Sequence, residues 1–325
     1  MSTLFSAVDV AQKVVAKELI DILRQNLFFY KTAKVQPVTA GANSKTVIFR
    51  GFNKLALASA MSEGVVPTGQ NLSLNTVTVT LTQYGDFTRI TDVAEFLYDR
   101  NLLEDASEVL GVQATETIEN AVVNIIAAGT NVIYGDGSVV TRATVTSAMV
   151  MTTTLIRRAV RFLERNNVKK FPSMPVIGRG FVTAAHPDVV ADIRNDSNFV
   201  NAVNYSSPTP EGRGESMRGD LFSGELGFWM GSRIISTTVA PVYAGAGSAS
   251  VDVYGVLTYG DGAYGVSELE GGLQTYIHTG GSQDTFNPLE QFATVGWKWM
   301  GAAAILDNNR IVRNEVSATY RGTTA

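Results

Sequence analysis

Between Val93 and Ala128 the chain has no proline and one glycine, Gly111. Leu103, Ala106, Leu110, Ala114, Ile118, Ala121, Val122, Ile125 and Ala128 recur at the spacing of one helical face. The pattern predicts an uninterrupted helix over 101–128, about 40 Å long at 1.5 Å per residue. Thr91 or Asp92 can cap the segment, a break is expected near Arg100 and Asn101, and Gly129 is the expected stop. Globular helices average about 11–12 residues, so this one should act as a strut across the molecule.

The segment before the strut reads differently. Residues 45–50 and 72–82 are expected strands. In the second, Val77, Val79 and Leu81 share one face, and Thr76, Thr78, Thr80 and Thr82 share the other. Leu72 and Leu74 have the opposite parity, so a bulge or twist is expected between them and Val77. The connection carries Gly51, Gly64, Pro67 and Gly69 and few large apolar groups after Leu57. Such a stretch cannot bury much of its own surface and should project as a hairpin. Its apolar residues Phe52, Leu55, Leu57, Met61, Val65 and Val66 are therefore candidates for contact with another subunit.

Elsewhere the pattern is mixed. Residues 8–30 read as an amphipathic helix, packed on its own core or extended as an arm over a neighbour. A helix is expected over 152–166, with Arg157, Arg158, Arg161 and Arg165 on its outer face. That face can be solvated, can meet acidic loops of another subunit, or can lie near nucleic acid. A short strand is expected at 174–178. His186-Pro187-Asp188 should open a third helix, with Pro187 in its first turn. Residues 201–224 read as an exposed loop. Strands are expected near 226–238, 251–258, 263–269, 273–278, 290–304 and 310–318. Trp297 and Trp299 would then face the same side, as core or interface.

Charged residues make up 17% of the chain, against roughly 25% in an average soluble domain. The low share leaves more surface that can be buried against partners. The formal net charge of -4 does not suit a protein whose main task is gripping nucleic acid. With no cysteine, disulfides, thiolate metal sites and thiol nucleophiles are excluded. His186 and His278 lack the spacing of a zinc helix motif, and no calcium loop or Walker motif occurs. Gly214-Glu215-Ser216-Met217-Arg218 departs from a nucleophile elbow at Arg218. No catalytic, cofactor or metal residues are assigned. Neither a signal peptide nor a membrane span is expected.

Several words, in order, resemble a known family. They are Gly85-Asp-Phe-Thr-Arg-Ile-Thr-Asp92, Glu116-Thr-Ile-Glu-Asn-Ala-Val-Val-Asn-Ile-Ile-Ala-Ala-Gly-Thr130 and His186-Pro-Asp-Val-Val-Ala-Asp-Ile-Arg194. Tyr259-Gly-Asp-Gly-Ala-Tyr-Gly265 and Phe286-Asn-Pro-Leu-Glu-Gln-Phe-Ala-Thr-Val-Gly-Trp-Lys-Trp-Met300 follow, and the resemblance continues through Ala304 to Arg313. Together with the hairpin-then-helix order they resemble tailed-phage major capsid proteins of the Hong Kong 97-type fold, in the branch named after coliphage N-four. The resemblance implies an α+β fold with an N-terminal arm (1–44), an extended β-hairpin loop (45–90) and a peripheral domain with a spine helix (91–139). An axial domain (140–264) and the closing strands of the peripheral domain (265–325) would complete it.

The implied function is structural, not enzymatic. The chain would self-assemble into hexamers and pentamers of an icosahedral head around double-stranded DNA, held without sequence specificity. Implied partners are a portal protein and scaffolding and decoration proteins, with no membrane and no cofactor. Assembly would occur in the host cytoplasm. Relatives with a cleaved scaffolding segment, or with Lys–Asn cross-links, find no assigned counterpart in this chain. An encapsulin-type nanocompartment shell is the alternative of the same fold. A hydrolase using Glu268, Glu270 or His186 is the alternative of a different class.

Overall fold

The computed structural model describes residues 27–38, 45–97, 102–171, 180–198, 225–278 and 287–320, apart from Ser59, Ser62, Val65, Pro67, Thr68 and Glu290. Most of the expected 8–30 helix, the short strand at 174–178 and the loop 201–224 lie outside them. The described chain opens with one short helix, α1 (Phe29–Thr32), and a strand, β1 (Lys34–Val38). The β1 strand was not legible in the sequence. It carries Pro37 and runs parallel to a neighbour at a sheet edge, where a missing N–H costs least.

The hairpin consists of β2 (Thr46–Phe52) and β3 (Leu74–Thr80), paired from Thr46↔Thr80 to Phe52↔Leu74. The register is regular, so the bulge expected between Leu74 and Val77 is absent. Strand pairing begins at Leu74, and Leu72 belongs to the connection. Only Val47, Phe49 and Leu81 form a small core at the hairpin base. The chain then continues into β4 (Thr82–Thr91), an unforeseen strand. Gly85 and Asp86 interrupt its apolar alternation, and eight of its ten residues are exposed. Its partner supplies the missing order, since Thr82 to Thr91 pair in unbroken register with residues 292–301.

Thr91 caps α2 (Asp92–Leu97) by accepting the Ala94 N–H at 3.3 Å. The strut is α3 (Leu102–Ile126), 25 residues long and ending three residues before Gly129. After β5 (Val132–Tyr134), the basic helix α4 (Thr153–Arg165) and β6 (Phe181–Ala185) form. His186 caps α5 (Pro187–Asn195) through Nδ1, which accepts the Asp188 N–H at 3.3 Å. Replacing His186 with Ala should lower the unfolding free energy by about 0.5–2 kcal/mol, the range for a lost N-cap, as read by urea denaturation of the subunit.

The expected strand 226–238 is a hairpin of β7 (Glu225–Trp229) and β8 (Ser232–Ser236). Met230 and Gly231 both take positive φ, the conformation of a two-residue hairpin turn. The remaining strands are β9 (Val242–Tyr243), β10 (Val253–Tyr259), β11 (Tyr264–Leu269), β12 (Gln274–His278), β13 (Phe292–Ile305) and β14 (Ile311–Val316).

They form two mixed sheets. One has the order β1-β11-β13-β12, with β4 also on β13; the other runs β5-β14-β10-β6-β8-β7, with β9 on β10. α3 lies against the first sheet. Leu110, Ala114, Ile118 and Val122 join Val295, Trp297 and Trp299 in its core. Both indoles are buried, so the tryptophan pair is core. Leu155, Ile156, Ala159 and Leu163 of α4 and Val189, Val190 and Ile193 of α5 pack with Val256, Val312 and Val316 of the second.

The arm base is tied to the strut by polar bonds in a buried setting. Glu119 accepts the N–H groups of Phe29 and Tyr30 at 2.9 and 3.1 Å. Thr32 Oγ1 lies 2.6 Å from Tyr264 Oη and 3.0 Å from Tyr259 Oη, and Tyr264 donates to the Phe29 carbonyl. Burial raises both phenols well above their ordinary range, so they stay neutral donors.

Candidate interaction surface

Among the described residues, the apolar side chains of the hairpin tip stand largely exposed. Phe52 is 71% exposed and Leu57 and Val66 are each 90% exposed, with Leu55, Met61, Leu72 and Leu74 also open. Five of the six apolar candidates of the hairpin therefore lie on one projecting segment; the sixth, Val65, lies outside the described residues. Few internal bonds tie the connection: Asn53 donates to Ser73 Oγ and Gln70 to the Ala56 carbonyl. A soluble monomer seldom leaves that much large apolar side chain in water.

A second apolar group was missed in the sequence. Phe87 on β4 and Val93, Phe96 and Leu97 on or beside α2 are exposed, Phe96 at 88%, as are Val109 and Val112 on the strut. Gln113 ties this region together. Its amide donates to Asp86 at 2.7 Å and its carbonyl oxygen accepts the Trp297 indole N–H at 3.3 Å. The Gln113 and Phe87 donors hold the Asp86 carboxyl below its ordinary range. A break is expected near Arg100 and Asn101, but periodicity gives no sign that α2 would leave its apolar residues uncovered.

The basic candidates Arg157, Arg158, Arg161 and Arg165 are all exposed on α4. Arg158 donates to the Asp136 carbonyl. Among the described residues the other three have no acceptor. Hairpin and basic helix lie on different parts of the fold, so they are two surfaces and not one site. Arg157→Glu with Arg161→Glu should change subunit stability by no more than about 0.5 kcal/mol, as solvated positions do. If the face is a contact, assembly followed by light scattering should slow at least severalfold.

The residues weighed for hydrolysis do not converge. Glu268 accepts the Trp299 indole N–H at 3.4 Å, Glu270 is an exposed strand-end residue, and His186 is engaged as a helix cap beside Asp188. A 410 Å³ cavity at the hairpin base, between β3, α3 and β13, has no carboxylate or histidine in its lining. No group of three or more metal-ligating side chains occurs among the described residues, and no described helix is long and apolar enough to cross a membrane.

The sequence profile of a family described as phage capsid protein matches residues 75–314. No curated protein sequence matches the chain. Among solved structures, the capsid of Ralstonia phage GP4 superposes with a TM-score of 0.66 at 16% identity, covering 93% of each chain. The head structure of Helicobacter pylori bacteriophage KHP40 gives 0.64 at 13% identity, covering 91% of each. The SrpI encapsulin complex from Synechococcus elongatus gives 0.51 at 13% identity, covering 91% of this chain and 89% of that one. The shared architecture is the Hong Kong 97-type fold that the sequence resemblance implied.

Proposed function

Because the chain belongs to the phage capsid protein family, whose members are structural proteins of assembled virion shells, we propose that it closes in hexamers and pentamers into an icosahedral head around double-stranded DNA. The family match over 75–314 carries this reading. The exposed apolar hairpin supports it, since assembly would cover that surface. Residues 1–44 serve as the arm and 45–90 as the extended loop, whose hairpin β2–β3 lies on a neighbour while β4 anchors it to β13. Residues 91–139 and 265–325 make most of the peripheral domain, and 140–264 most of the axial domain at the capsomer centre, whose sheet also takes in β5 and β14. The mechanism is burial of surface between copies and not catalysis.

The protein assembles in the host cytoplasm, with a portal protein and with scaffolding and decoration proteins as partners. DNA is retained by enclosure and not by sequence. A net charge of -4 suits a wall that must release its contents. Full-length protein expressed alone and viewed by negative-stain microscopy should show capsomers or closed shells. A monomer that persists at every salt and protein concentration would refute the proposal.

The encapsulin similarity supports a second reading, a nanocompartment shell. Shells purified from the natural source separate the two. Nuclease-protected double-stranded DNA identifies a phage head, and an enclosed enzyme identifies a compartment.

A further inference from the structure

A cavity of about 630 Å³ opens between the last turns of α3 and the segment Thr238–Tyr243. Arg142 and Arg313 line it, and no carboxylate or histidine does. Glu315 lies beneath the pair, its side chain wholly buried. Its carboxylate accepts Nε and Nη2 of Arg142 at 2.6 and 2.7 Å and Nε of Arg313 at 2.7 Å. Both guanidinium planes are thereby fixed. Arg142 is held further by the Tyr243 ring, whose centroid is 3.4 Å from its guanidinium carbon.

The charges do not balance within this group. Two guanidinium ions share one carboxylate, leaving a single positive charge at the cavity wall. The Arg313 side chain keeps only 9% of its exposure. Yet its Nη1 and Nη2 have no acceptor among the described residues, and neither has Nη1 of Arg142. These donors face the open cavity and are available to a ligand, and an oxyanion matches the geometry of two adjacent guanidinium groups. Ala127 and Ala128 bring the acceptor end of α3 to the same cavity. That end disfavours negative charge, which keeps the affinity for an anion modest.

We propose that Arg142 and Arg313 form a binding site for a compact oxyanion of the phosphate or carboxylate type. Such an ion bridges the two guanidinium groups through its oxygens. Two sources have this chemistry: free phosphate, and an acidic side chain of a second copy of the chain.

The test titrates full-length protein with sodium phosphate by calorimetry and thermal shift, against sodium chloride at equal ionic strength. Asn124 lines the rim and is exposed, so its charge can be changed without touching the arginines. Phosphate should saturate with a Kd on the order of 1 mM, as for a small weak ligand. Asn124→Asp should weaken binding about tenfold and Asn124→Lys strengthen it by a similar factor, as a single nearby charge requires. Opposite shifts from one position are not what mere disturbance of the fold produces. An identical response to chloride, or equal phosphate affinity in both variants, overturns the proposal. Bound phosphate that slows shell formation identifies a neighbour's carboxylate as the natural occupant. Bound phosphate that leaves assembly unchanged identifies the free ion.

Discussion

Replacing residues 53–73 with a two-residue Asn-Gly turn should leave the subunit folded and abolish closed shells. The endpoints follow from the register, in which Phe52 stands opposite Leu74 and the pairing continues to Thr46↔Thr80. An Asn-Gly turn suits a two-residue hairpin closure. The excised segment contributes no residue to the core at the hairpin base, which is Val47, Phe49 and Leu81. The unfolding free energy should therefore stay within about 1 kcal/mol of the parent, the range for changes away from a core. Leu55, Leu57, Met61 and Val66 would be lost, and with them the apolar surface available to a neighbour. Circular dichroism with urea denaturation reads the first result, and negative-stain microscopy reads the second. Normal shells from the shortened protein would show that the hairpin tip is dispensable.

The second large effect concerns pH. Glu119 is only 3% exposed, and burial raises its carboxyl to about 7 from a reference of 4.5. The amides of Phe28, Phe29 and Tyr30 and the charge of Lys31 oppose the rise without cancelling it. The folded protein thus binds this proton more tightly than the unfolded chain. Its contribution to stability is fully present below about pH 4.5 and is lost as pH rises through about 7. Two and a half pH units correspond to about 3 kcal/mol.

Glu119→Gln resembles the protonated acid in shape and charge. Its NH2 cannot accept the second amide, so the variant should lie below the parent by about 1–3 kcal/mol near pH 4.5 and gain about 3 kcal/mol on it by pH 8.5. Denaturation midpoints of the dissociated subunits, measured across that range, test the difference. A constant gap between the two proteins would mean that Glu119 does not titrate there. Because Glu119 binds the Phe29 and Tyr30 amides, hydrogen exchange at those two residues should report the same transition.

The elements legible in the sequence are those whose bonds close locally. The strut was expected over 101–128 and occupies Leu102–Ile126, because each of its hydrogen bonds spans four residues and its apolar face repeats within that reach. The His186 cap was readable for the same reason. Strand order was less legible. Gly85 and Asp86 break the alternation within β4, and its identity as a strand depends on residues 292–301, about two hundred positions later. β1 likewise exists by virtue of β11.

The candidate surfaces divide the same way. The scarcity of core-forming residues after Leu57 is enough to point to an open hairpin tip. No local pattern showed that Phe96 and Leu97 would stay uncovered, since an apolar pair on a short helix ordinarily packs inward. Nor could sequence distance place Arg142 and Arg313 on one buried Glu315, or set Glu119 beneath the arm base. The strut, the open hairpin and the family are legible along the chain, because periodicity, composition and ordered words are properties of the chain itself. Which polar groups are buried, and which apolar groups remain in water, is fixed only by the folded arrangement. Desolvation depends on what other parts of the chain arrive at the same place, and only folding brings them there.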